Sequence, residues 1–175
     1  TGVPTTPTYI ILAAIVAPAL AQLGVPQLAT HFFVFYYGVL ADVTPPVALA
    51  AFAAAGIARS EPMGTGNTAF RLSMGKALVP FAFVYAPSLL FIDFGWLPFT
   101  VALVATVIAI LGLGVAYTGH CGRPVGRVAF VLLNLFSLSL VFSNVTVTVV
   151  AGSAVLAIIA WHLRPHTPAV STGAA

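Results

Sequence analysis

From Leu97 to Thr118 the sequence runs without one charged side chain, and apolar runs recur over Tyr9 to Val25, Gln27 to Ala41, Ala77 to Ile92, Val128 to Phe142 and Val145 to Trp161. A hydrocarbon core about 30 Å thick is crossed by about 20 helical residues, fewer where helices pair or break. Only 5% of the 175 residues are charged and 61% are hydrophobic, and the mean hydropathy is +1.11. A soluble domain needs far more surface charge. The chain therefore reads as an all-α, polytopic membrane protein.

The positions of its basic residues orient it. Arg59, Arg71 and Lys76 fall in one loop, Arg123 and Arg127 in the next but one, and Arg164 after the last run, while the turns at 24–26, 93–95 and 143–144 hold no Lys or Arg. All six lie on one side, which the positive-inside rule makes cytoplasmic. The reading is a multi-pass protein of the cell (inner) membrane with a cytoplasmic C-terminus. The net charge of +3 is spread along the chain without forming a patch for phosphates, so no nucleic-acid partner is expected. Cys121 is alone, which excludes an internal disulfide. Thr1 is not an initiator Met, and the Thr/Pro-rich opening looks like the inside of a longer chain, so a C-terminal fragment of a permease, or a processed product, is expected.

Two polar interruptions stand out. Pro45 and Pro46 remove two backbone donors and disfavour helical geometry before them, which predicts a break over Asp42 to Pro46 with free carbonyls near Asp42 and Thr44. Gly2 to Thr8 is a second irregular stretch, and the charge placement makes it the tip of a re-entrant hairpin whose returning half is Tyr9 to Val25. The two stretches come to similar depth and can face each other. Together they offer the Asp42 carboxylate, the hydroxyls of Thr5, Thr6 and Thr44, and carbonyls freed by prolines: an all-oxygen set suited to a hard cation. Broken helices meeting in mid-membrane build ion and substrate sites in secondary transporters, and an intramembrane carboxylate is a functional candidate by default.

The remaining polar residues carry blander readings. His31 is a packed or interfacial histidine, and His120, His162 and His166 are solvated or at the headgroup level. Asn134, Ser137 and Ser139 are expected to join helices by hydrogen bonds, and Ala50, Ala54 and Ala58 to allow close helix approach. No Ser/His/Asp set, His/Glu metal spacing or phosphate-cradling glycine loop is present, so an enzyme is not expected.

The run Gly2-Val3-Pro4-Thr5-Thr6-Pro7-Thr8-Tyr9-Ile10, followed by Val16-Ala17-Pro18-Ala19-Leu20 and by Phe33 to Ala51 with Asp42-Val43-Thr44-Pro45-Pro46 at its centre, closely resembles the large membrane subunit of tripartite ATP-independent periplasmic (TRAP) transporters. The version here resembles the fused permeases that work with TAXI-type binding proteins. The resemblance covers residues 1 to about 92. It implies a permease with an elevator-type transport domain, of which this chain supplies most of the second inverted repeat, and sodium-coupled uptake of an organic acid or similar solute delivered by an extracytoplasmic binding protein. It implies no cofactor beyond sodium as coupling ion. The implied partners are a TAXI-type binding protein, the remainder of the permease with its first repeat and small-subunit-like helices, and the lipid bilayer.

The family's ion sites correspond here to Gly2, Thr5 and Thr6 at the hairpin tip and to Asp42 and Thr44 at the break, with Thr6, Thr8 and Pro45 facing the substrate. One departure matters: relatives commonly carry an Asp where Val3 stands and an apolar residue where Asp42 stands, so Asp42 is expected to supply the charge that the hairpin lacks. The resulting layout is a hairpin half plus broken helix over 1–58, a cytoplasmic amphipathic loop over 59–76, a transmembrane helix over 77–92, three additional helices over 93–163 and a disordered tail over 164–175. That makes about four transmembrane helices beyond the broken one. Two rivals stand beside this reading: a symporter for sodium or protons that needs no binding protein, and a non-transporting helical membrane protein whose breaks only shape packing.

Overall fold

The computed structural model describes residues 5–142 and 144–163. Eight helices dominate. Helix α1 spans Thr5–Gln22 and runs through Pro18, and after a turn closed by Gly24 and Pro26 the chain returns as α2, Gln27–Leu40. A 3-10 turn over Ala41–Val43 and an extended stretch separate α2 from α3, Leu49–Ala58. Helix α4, Pro62–Ser73, starts cleanly because Pro62 needs no donor at N1 and the Glu61 carboxylate accepts the N–H groups of Met63 and Gly64.

The next segment departs from the expected crossing over Ala77 to Ile92. A 3-10 turn at Met74–Leu78 leads into α5, Val79–Tyr85, which stops at Ala86 because Pro87 opens another 3-10 turn to Leu90. At seven residues α5 is far too short to span a bilayer alone. Two prolines in a short run decide this, since each removes a helical donor.

Helix α6, Trp96–Thr118, is followed by a two-residue antiparallel pairing of β1, His120–Cys121, with β2, Arg123–Pro124, around Gly122 at φ 70°. Helices α7, Arg127–Ser139, and α8, Val145–Leu163, complete the described chain. Among the described residues three helices, α1, α6 and α8, are long and apolar enough to cross a membrane. Helix α1 covers 18 described residues, about the length of one membrane crossing. The expected tail over 164–175 lies outside the described residues.

The core is built from small residues while large ones face outward. Along α6 the buried positions are Ala102, Ala105, Ala109, Gly112, Leu113 and Ala116. They form a seam into which α7 contributes Leu133 and Ser137 and α8 contributes Ala151 and Val155. A Cβ on Gly112 would stand 2.3 Å from Ser137 Oγ and 3.0 Å from Val155 Cγ1, so the three helices meet where any larger residue would have to displace the serine hydroxyl. Outside, Ile10, Ile15, Leu97, Val128, Val149 and Val150 are each at least 60% exposed. Small residues within and branched aliphatics without are the pattern of helices packed in lipid.

Several local expectations shift. The close-packed face of α3 is Ala51 and Ala55, one residue along from Ala50 and Ala54, because that face lies toward α4. Asn134 and Ser139 bond carbonyls of their own helix, Phe130 at 2.8 Å and Phe136 at 2.7 Å, so they join no helices; Ser137 is buried at the seam without a hydrogen bond. His162 is 3% exposed, not solvated, with Nδ1 2.9 Å from the Ile158 carbonyl.

Candidate functional site

The site grows out of the failure of α2 to continue. Its last turn tightens to a 3-10 turn, and the Thr44 hydroxyl donates to the Leu40 carbonyl at 2.8 Å while Thr44 N–H donates to the Ala41 carbonyl at 3.1 Å. The next two donors in that ladder belong to residues 45 and 46, both proline and joined by a cis peptide. The carbonyls that would have met them, three residues back, are those of Asp42 and Val43, and neither accepts a backbone N–H among the described residues. The Thr44 carbonyl, by contrast, is taken by Ala48 N–H at 3.0 Å, so the expected free carbonyl lies at Asp42 and not at Thr44. Ala48, at φ 33°, then turns the chain into α3.

Helix α1 brings the second half. Thr5 Oγ1 donates to Asp42 Oδ2 at 3.0 Å, across 37 residues of sequence. Both residues are half-buried, and among the described residues no Lys, Arg or His pairs with the carboxylate. One turn further along α1, a Cβ on Gly38 would sit 3.9 Å from Tyr9 N and from Thr8 Cγ2, so the two helices pass closely. The Tyr9 ring then runs up α2, meeting Phe35 edge-on at 6.1 Å and placing its hydroxyl 2.9 Å from His31 Nδ1.

An aromatic row on the other side of α2 fixes it to α5. Phe33 and Tyr37 pack on Phe81, Phe32 and Tyr36 on Phe83, and Tyr37 donates to the Ala77 carbonyl at 3.0 Å. Beside the break lies a cavity of about 400 Å³, walled by Tyr37, Thr44, Pro45, Pro46, Phe70 and Ser73. Gly66 of α4 presses against Pro45, where a Cβ would come within 3.2 Å of the ring.

The residues named from sequence thus divide. Thr5 and Asp42 touch, Thr44 sits two residues on with its hydroxyl hydrogen committed to the Leu40 carbonyl, and Pro45 lines the cavity. Thr6 is exposed, and Thr8 lies against α2 a turn away from the carboxylate. Thr5 to Thr8 are helical, as part of α1, and not an irregular stretch. Gly2 lies outside the described residues. The Tyr9 to His31 bond had no partner named in advance; its signal is that Thr5 opposite Asp42 and Tyr9 opposite Gly38 set an antiparallel register, in which a tyrosine reaches a turn or two further up α2.

Chemically the break offers oxygen alone: one carboxylate, two hydroxyls and two unclaimed carbonyls. Among the described residues no group of three His, Cys, Asp or Glu side chains is placed to hold a metal. Residues 1–98 match the family model of the tripartite ATP-independent periplasmic transporter, DctM component. The chain belongs to the DctM family. No curated protein and no solved structure matches it. DctM membership makes this chain a permease component of a TRAP transporter, a membrane protein that works with a binding protein and a small subunit. The matched stretch contains both halves of the site and ends just inside α6, so β1, β2, α7 and α8 lie beyond the DctM match.

Proposed function

We propose that this chain is part of a sodium-coupled permease that takes up an organic acid or similar solute handed over by an extracytoplasmic, TAXI-type binding protein. In this reading the chain is the C-terminal part of a fused permease in the inner membrane, with its C-terminus cytoplasmic. It supplies the second inverted repeat of an elevator-type transport domain. The observation that carries the proposal is the Thr5 to Asp42 hydrogen bond, which ties α1 to a helix break where, among the described residues, the Asp42 and Val43 carbonyls accept no backbone donor. A lone carboxylate with hydroxyl and carbonyl oxygens around it suits a small hard cation, and a negatively charged group left unpaired in an apolar setting is costly unless it binds something. Sodium is the ion proposed, held by Asp42 with Thr5, the Asp42 and Val43 carbonyls and the Thr44 oxygen. The cavity beside Pro45 gives room for the solute.

The test is uptake of a panel of candidate acids into proteoliposomes containing the complete permease and its binding protein, with sodium present or replaced by potassium. Uptake that requires the binding protein and falls to background in potassium is expected. Uptake indifferent to the replacement removes the sodium assignment, and uptake indifferent to the binding protein favours a self-sufficient symporter.

A further inference from the structure

A second polar feature lies at the other end of the molecule's charge pattern. Arg71, in the last turn of α4, and Arg127, the first residue of α7, are 56 positions apart in sequence and were expected to form no patch. The fold brings them to the wall of one cavity of about 660 Å³, shared with Tyr117, Gly119, Phe130 and Val131. Gly119, at φ 73°, lets the chain turn there, and a Cβ on it would stand 4.0 Å from Arg71 Nη2, so one guanidinium lies against that turn. Tyr117 and Phe130 meet edge-on at 5.5 Å and form the cavity's aromatic side. No carboxylate lines the cavity, and among the described residues neither arginine makes an ion pair.

The cavity's place in the fold defines what it can hold. It sits at the C-terminal end of α6, a 23-residue apolar helix long enough to bring that end to the headgroup level. Tyr117 there has the position of an interfacial aromatic. From Arg127 one face of α7 continues through Val131, Leu135 and Leu138, which are 52%, 59% and 51% exposed. An apolar track therefore starts at the cationic cavity and runs about 15 Å along the helix. A soluble phosphate would use the arginines and leave the track uncovered, whereas a phospholipid uses both.

We propose that Arg71 and Arg127 bind the phosphate of an anionic phospholipid headgroup, with an acyl chain laid along Val131, Leu135 and Leu138. Basic recesses between helices at the cytoplasmic side are a recurring way to hold such headgroups. Because α4 lies inside the DctM match and α7 beyond it, the lipid joins the transport region to the additional helices.

The experiment is native mass spectrometry of the purified full chain in detergent, titrated with phosphatidylglycerol, with phosphatidylcholine, and with inorganic phosphate. Phosphatidylglycerol is expected to occupy one site more tightly than phosphatidylcholine, with inorganic phosphate failing to compete. Arg71→Gln and Arg127→Gln are each expected to weaken it about fivefold, and together about thirtyfold, at roughly 1 kcal/mol per cation. Arg71→Lys and Arg127→Lys keep most of the binding, and Arg59→Gln, which removes the same charge outside the cavity, leaves it unchanged. Both arginines are exposed, so the variants keep the fold, checked by circular dichroism. Unaltered phosphatidylglycerol binding by the double variant overturns the proposal, as does an equal loss with Arg59→Gln. Competition by inorganic phosphate at lipid-like strength assigns the site to a soluble anion instead.

Discussion

Replacing Asp42 by Asn tests the proposed ion site at its only charge. The amide keeps an oxygen in place of Oδ2, so the Thr5 hydroxyl, 3.0 Å away, retains an acceptor and the α1 to α2 contact survives. What is lost is the carboxylate's attraction for a cation. Two unit charges 4 Å apart attract by about 4 kcal/mol at an effective dielectric near 20, and Asp42 is half-buried, so solvent screening reduces this. A loss of about 2 to 3 kcal/mol corresponds to a sodium affinity weakened about 30-fold to 150-fold. Thr5→Val, which keeps the shape, removes one hydrogen bond to a charged group and is expected to cost about tenfold. The assay is the initial rate of solute uptake against sodium concentration, with the binding protein saturating and the amount of folded permease matched. The expected result is a sodium half-saturation shifted far upward in Asp42→Asn and less in Thr5→Val, with the rate at very high sodium partly restored. A sodium curve for Asp42→Asn within twofold of wild type would refute the assignment, because no other carboxylate approaches this site among the described residues.

Other substitutions probe the frame that holds the site. Gly112→Ala places a methyl group within 2.3 Å of Ser137 Oγ, and the resulting spread of α6, α7 and α8 is expected to cost about 1 to 3 kcal/mol, seen as a lowered unfolding midpoint in detergent. An unchanged midpoint would mean that the seam is looser than its geometry. Leu133→Ala, at a fully buried position of the same seam, is expected to cost about 2 to 5 kcal/mol by the cavity it leaves, measured in the same way. Tyr37→Phe removes the bond to the Ala77 carbonyl but not the ring stack on Phe81, and about 1 kcal/mol of stability is expected to go.

The helical class and the membrane setting are legible in the sequence because they depend on composition and run length, which no tertiary contact alters. The break is equally legible: Pro45 and Pro46 withdraw donors wherever they stand, and the orphaned carbonyl at Asp42 follows from counting back three residues. The register of α1 on α2 is not. Thr5 was named as one of several threonines near a hairpin tip, but only packing decides that it, and not Thr6, faces the carboxylate, since adjacent helical residues point about 100° apart. That Arg71 and Arg127 line one cavity is hidden for the same reason, as a spread of charge along the chain says nothing about spacing across helices. The 77–92 segment reads as one apolar run with prolines at Pro80 and Pro87, and only the backbone shows how they divide it, into α5 over Val79–Tyr85 and a 3-10 turn over Pro87–Leu90.

The contacts around Tyr9 give the site a frame of reference. Thr5 and Tyr9 are one turn apart on α1 and share a face, so the Thr5 to Asp42 bond and the Tyr9 to His31 bond fix α1 against α2 at two points. One bond lets the helices pivot; two set both register and rotation. Occupancy of the site by a cation would engage the Thr5 oxygen together with the carboxylate, whereas the Tyr9 to His31 bond is indifferent to it. Tyr9→Phe is then expected to leave the carboxylate chemistry intact while freeing α1 to shift, so the sodium half-saturation rises only a few-fold and the unfolding midpoint falls. His31→Phe should do the same, and the double variant should lose no more than either alone, because both remove one bond. Additive losses in the double variant would show that Tyr9 and His31 act separately, and that α1 is held to the break by Thr5 and Gly38 alone.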